Sequence, residues 1–181
     1  MTIHQRLIEL KRWLIPQSSF AAGIGIGLWL PDVDLVALPI LHHRSILTHS
    51  IFIPFLISKF FTNRFSLSAV AGLYGGIAIH LSADILSPMV GFGMIWLPSP
   101  IKLSLGPFSI VWIAGNALAG AILALKLAPD QKKTVYTLVA LVALSYAIFN
   151  EGAFWPFVIF GLVATIAMWV HRRGNSTPGV G

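Results

Sequence analysis

The chain has 181 residues, of which 56% are hydrophobic and only 10% charged, with a mean hydropathy of +0.83. So little charge cannot cover a soluble domain of this size, and the composition predicts a single-domain, all-α, polytopic transmembrane bundle. The net charge of +6 comes from short basic flanks beside apolar stretches, a membrane-orientation pattern that argues against nucleic acid as a partner; with no cysteine, disulfides and thiolate metal sites are excluded.

Residues 1–13 set Leu7, Ile8, Leu10 and Trp13 against Arg6, Glu9, Lys11 and Arg12, which predicts an interfacial amphipathic helix. The stretch is too polar for a signal-peptide core, so the first apolar segment is expected to stay attached. Six candidate spans follow, at about 14–30, 46–61, 67–87, 108–128, 135–150 and 153–170. Gly23, Gly25 and Gly27 lie inside the first, where close helix packing is a better use than phosphate binding. His49, Ser50 and Pro54 interrupt the second. Residues 88–107 are apolar, but Pro88, Gly91, Gly93, Pro98, Pro100, Gly106 and Pro107 forbid a regular helix, so they are expected to lie on the membrane or fold over a site. Tyr146, Asn150 and Glu151 near the end of the fifth span are expected to serve as caps or loop residues, with lining of the same outer cavity as the alternative, and residues 172–181 are expected to form a disordered tail.

A cytoplasmic N-terminus places ten of the twelve Lys and Arg on the inside, leaving only Arg44 and Lys102 outside. Six spans with both termini cytoplasmic therefore satisfy the positive-inside rule. This arrangement brings Asp32, Asp34, His42, His43, Arg44, His49, His80 and Asp84 to one outer face.

Ionisable groups at the edge of hydrocarbon are costly and mark function. His80 and Asp84 stand i,i+4 on one helix face, and Gly72 and Gly76 continue that stripe as a packed surface. Pro31-Asp32-Val33-Asp34 offers two carboxylates from a turn. The segment His42-His43-Arg44-Ser45-Ile46-Leu47-Thr48-His49-Ser50 adds three imidazoles, a guanidinium and hydroxyls. Imidazole and carboxylate together suit a divalent metal, Zn²⁺ first, with Mn²⁺ or Fe²⁺ also compatible. Either Asp32 or Asp34 is available as a general base, and Arg44 can grip a phosphate or carboxylate.

In this order, the three elements resemble the membrane-bound metal-dependent hydrolase family of the YdjM type, also described as LexA-regulated inner-membrane proteins. That family shows a Pro-Asp-x-Asp turn, a His-Arg…Thr-His-Ser segment, and a His-x-x-x-Asp helix followed by a Pro/Gly-rich stretch. The matches are Pro31, Asp32 and Asp34; His43, Arg44, Thr48, His49 and Ser50; His80 and Asp84; then Pro88, Gly91 and Gly93. They span about residues 29–100. This chain has one residue more in the middle segment and Ser45 where the family has glycine, so His42 and His43 both stay open as ligand.

The resemblance implies a multi-pass inner-membrane protein that cleaves an ester or phosphoester in a lipid or lipid-linked substrate with a metal-activated water. The expected site has Asp34, His43, His49, His80 and Asp84 on the metal and Asp32 as the catalytic base. Arg44 is expected in both catalysis and substrate binding, with Thr48, Ser50 and Trp96 facing substrate. The alternative is a non-enzymatic membrane protein, a metal or proton carrier or an assembly factor, using the same cluster to bind or relay ions. His-Glu-x-x-His, Gly-x-Gly-Asp and the lipid-phosphatase motifs are absent from the sequence.

Overall fold

The computed structural model describes residues 3–60, 63–130 and 132–176. Among these the chain is helical and has no strand: α1 (Ile3–Trp29), the four-residue α2 (Leu38–Leu41), α3 (Phe52–Phe60), α4 (Arg64–Asp84), α5 (Ser109–Leu127), α6 (Lys132–Phe149) and α7 (Trp155–Ser176). Five helical segments are long and apolar enough to cross a membrane, which makes this a membrane protein.

Three boundaries differ from expectation. The amphipathic N-terminal stretch and the first apolar segment form one continuous helix that passes through Pro16. At its other end, α7 continues to Ser176, so residues 172–176 are helical rather than disordered; residues 177–181 lie outside the described residues. The segment 46–61 is not a full helical span. Its helix, α3, has nine residues, or about 13–14 Å, against a hydrocarbon core of about 30 Å. Before it, side-chain oxygens capture the backbone: the Asp34 carboxylate takes the Ser45 N–H, and Ser50 Oγ accepts the Phe52 N–H at the start of α3.

The bundle is built on a glycine seam. A Cβ on Gly72 would run into the Phe20 carbonyl, one on Gly76 into the Ile24 carbonyl, and those on Gly23 and Gly27 into the Ala69 and Leu73 carbonyls. Only glycine lets the two backbones approach this closely. These pairings rise together along both helices, so α1 and α4 run parallel, and the chain between them must return to the far end of the bundle. Gly25, by contrast, has nothing within 4 Å of a built Cβ.

α5 packs antiparallel on α4, with Gly120 against Tyr74 and Ala78. Ile77, Leu81, Ile95, Ile113 and Ala117 form a buried cluster at the upper end of this pair. Ile95 comes from the Pro/Gly-rich segment and is fully buried there. That segment is folded and braced: Trp96 donates its N–H to the Arg44 carbonyl (3.0 Å) and accepts from Ile46 (2.9 Å), and Ile95 donates to Ser109 Oγ (2.9 Å). The Tyr146 hydroxyl brings the end of α6 level with the end of α4, and a tight connection returns α7. Both described ends of the chain therefore lie at the end opposite Asp84.

Candidate metal centre

The site forms where the end of α1, the turn after it, the 42–50 loop and the last turn of α4 converge. Pro31 starts a 3₁₀ turn, Pro31–Leu35, that carries Asp32 and Asp34. Asp34 is fully buried. Its Oδ2 accepts from the Ser45 N–H (2.9 Å) and Thr48 Oγ1 (2.8 Å) and lies 3.2 Å from His49 Nδ1, while Oδ1 lies 3.4 Å from His43 Nδ1. One carboxylate thus folds the whole loop around itself. The loop bends through left-handed φ values at His42 (63°) and Arg44 (54°). Such conformations cost about 1–3 kcal/mol each outside glycine and persist because these hydrogen bonds hold them.

The two central histidines are oriented by what their Nδ1 atoms meet. His49 Nδ1 faces the Asp34 carboxylate, and His80 Nδ1 donates to the Leu28 carbonyl at 3.0 Å. A carbonyl or carboxylate only accepts, so each ring keeps its lone pair on Nε2. Those lone pairs converge. Asp84 Oδ2 stands 3.5 Å from both Nε2 atoms, and Asp32 Oδ1 is 3.8 Å from His80 Nε2. Tetrahedral ligands at 2.0–2.1 Å are separated by roughly 3.3–3.4 Å, close to the 3.5 Å between Asp84 Oδ2 and each Nε2. Asp32, His49 and His80 form a group that can hold a metal ion, each offering an atom within 4.8 Å of the others.

Two observations fit a cation at this point. His49 Nε2 and Asp84 Oδ2 are buried and have no hydrogen-bond partner, an expensive condition for polar atoms. In addition, Asp32, Asp34 and Asp84 carry three negative charges against the single guanidinium of Arg44, leaving −2 in the cluster when the imidazoles are neutral. A divalent cation cancels that charge.

The geometry exchanges the expected places of the two aspartates. Asp34, expected on the metal, has both oxygens engaged by the 43–49 loop and orients His49 from behind; Asp32, expected as a separate base, points its carboxylate into the cluster. The open choice between His42 and His43 also resolves away from the metal. His43 directs Nδ1 to Asp34 and sets its ring edge-on to His49, and His42 stacks on Trp96 at 4.2 Å between ring centroids.

Arg44 is not a free substrate grip. It is buried, with one nitrogen donating to Asp84 Oδ1 at 2.6 Å and another to the Gly93 carbonyl at 2.7 Å. Its charge holds Asp84 and pins the Pro/Gly-rich segment above the site. Thr48 and Ser50, expected to face substrate, spend their hydroxyls on Asp34 and the Leu47 carbonyl. Trp96 is part of the brace, its indole N–H on the Gly91 carbonyl.

Some contributors are missing from the expected site. The Leu28 carbonyl is one, and backbone groups leave no side-chain signal. Tyr146, expected first as a cap and only alternatively in the cavity, places its hydroxyl 3.0 Å from His80 Nδ1. Trp112 donates to the His49 carbonyl at 3.0 Å. Removing an outer partner of a ligating imidazole weakens metal binding by about 10–100-fold. Tyr146→Phe, which leaves the Leu28 contact in place, is expected at the low end of that range in a metal-competition titration; unchanged affinity would reduce the hydroxyl to packing.

No protein-family model, curated protein or solved structure matches this chain. The site is therefore read from its own geometry.

Proposed function

We propose that this protein is a metal-dependent hydrolase of the membrane, related to the YdjM-type family and acting on an ester or phosphoester of a lipid or lipid-linked substrate. The observation that carries the reading is the convergence of His49 Nε2, His80 Nε2, Asp84 Oδ2 and Asp32 Oδ1 in a pocket with a surplus of negative charge. Zn²⁺ fits the imidazole and carboxylate donors best, with Mn²⁺ or Fe²⁺ as competitors. When bound, such a cation supplies Lewis acidity and lowers the pKa of a coordinated water.

The chain's own residues supply the rest. His49, His80 and Asp84 are nearly closed off, whereas the Asp32 side chain is 42% exposed. Asp32 is thus the group that both reaches the cluster and meets the exterior, where substrate enters and a proton can leave. In the Pro/Gly-rich segment Val90, Phe92, Ile101 and Leu103 are exposed, apolar surface suited to a lipid. A carrier would be expected to place its ion site near mid-membrane; here the cluster sits at the end of α4, which favours hydrolysis over transport.

The parallel seam between α1 and α4 supports six crossings, the second made by α3 with its flanking residues. The basic flanks support a topology with both termini in the cytoplasm and the site on the extracytoplasmic side of a plasma membrane. A cysteine at Pro98 is expected to react with an impermeant thiol reagent in intact cells. Labelling only after lysis would reverse the orientation.

For the activity, purified protein stripped by chelator and reloaded with Zn²⁺ is offered long-chain lipid esters and phosphoesters. Product release that requires both the metal and His49 supports the reading. Equal turnover by the stripped protein, or none from stoichiometrically loaded protein on either bond type, overturns it.

A further inference from the structure

At the opposite end of the bundle, Gln17 has no answer to its own polarity. Its side chain is 7% exposed, and neither its oxygen nor its nitrogen has a hydrogen-bond partner. Exchanging the two atoms changes nothing, since both ends are unmet. A buried amide left unpaired is costly, more so among spanning helices, where water is scarce. Gln17 borders a cavity of about 220 Å³ shared with Glu9, Arg12, Trp13, Pro16, Pro129 and Asp130. Pro16 adds an acceptor, because it has no N–H to return to the Arg12 carbonyl one turn earlier.

The wall chemistry is that of a zwitterion site. Arg12 and the Gln17 amide N–H₂ donate; Glu9, Asp130, the Gln17 oxygen and the Arg12 carbonyl accept; the Trp13 ring offers a face to a cation. Glu9, Arg12 and Trp13 are exposed, so the mouth is open. It lies where α1 changes from charged to apolar, the level at which lipid headgroups meet water. A purely anionic headgroup would leave Glu9 opposed and unpaired.

We propose that this cavity binds the headgroup of an amine-bearing zwitterionic phospholipid of the phosphoethanolamine type. Its phosphate oxygens accept from Arg12 and Gln17, and its ammonium donates to Glu9. The site is separate from the metal centre and does not depend on the hydrolase reading.

The test is native mass spectrometry of the purified full-length chain with phosphatidylethanolamine, phosphatidylglycerol of the same acyl chains, and glycerophosphoethanolamine. Wild type is expected to prefer phosphatidylethanolamine over phosphatidylglycerol by about tenfold, the ratio one charge-assisted contact supplies. Glu9→Gln, an exposed change that leaves the fold alone, is expected to erase that preference. Gln17→Leu is expected to lose the adduct while keeping its metal content, and in lipid-free detergent to melt no lower than wild type. Equal binding of the two lipids by wild type, or undiminished preference in Glu9→Gln, overturns the proposal. Saturation by glycerophosphoethanolamine without any lipid adduct would assign the cavity to a soluble zwitterion and overturn the lipid half.

Discussion

His80→Ala protein is expected to leave purification with almost no metal, while Asp34→Asn protein retains it with weakened affinity. The contrast follows from where the two side chains stand. His80 offers Nε2 to the cluster directly, 3.5 Å from Asp84 Oδ2, and alanine removes that donor outright. Asp34 touches only the back of His49 and the loop around it. Outer partners of this kind are worth about 10–100-fold in metal affinity, so Asp34→Asn should still fill at high metal concentration. Loss of a direct ligand should exceed that range. Elemental analysis at a fixed, then a saturating, Zn²⁺ concentration reads both effects, with thermal melting as the check on folding. Should Asp34→Asn and His80→Ala lose metal equally and irrecoverably, the exchange of roles between Asp32 and Asp34 is wrong.

Gly72→Ala is expected to be among the most damaging single-methyl changes in the chain outside the cluster. A Cβ there meets the Phe20 carbonyl, a backbone atom that cannot rotate away. Overpacking of a tight contact costs about 1–3 kcal/mol, and this contact is backbone on backbone. The injury should reach the metal as well, because the same seam sets the Leu28 carbonyl against His80 Nδ1. Gly25→Ala supplies the contrast, since its Cβ would meet nothing within 4 Å. Replacing an exposed helical glycine by alanine even recovers up to about 1 kcal/mol of helix propensity. Melting temperature and metal affinity should therefore fall together for Gly72→Ala and hold for Gly25→Ala.

Much of this was legible in the residues. Low charge and high hydropathy pointed to a helical membrane bundle, and the spacing of Gly72 and Gly76 marked the packed face that carries His80 and Asp84. The second segment reads from its apolar content as one long helix, although His49, Ser50 and Pro54 already interrupt it. Those polar atoms are consumed in a turn, which shortens α3 to Phe52–Phe60. At the site, the three chemical elements could be found from their residue types alone. Their ranking could not, because Asp32 and Asp34 are two residues apart in one turn, and only the fold shows which carboxylate the 43–49 loop wraps. Arg44 reads equally well as a substrate grip or as a brace until Asp84 and Gly93 are seen on its nitrogens. Tyr146 lies 66 residues from His80, and no local pattern connects them.

X-ray absorption at the metal edge of the zinc-loaded protein probes the coordination itself. The expected spectrum contains two imidazole nitrogens and carboxylate oxygen at about 2.0–2.1 Å, with one imidazole shell lost in the His49→Ala protein. A protein that refuses stoichiometric zinc, or whose spectrum shows no imidazole scattering, would mean that these lone pairs gather around protons rather than a cation.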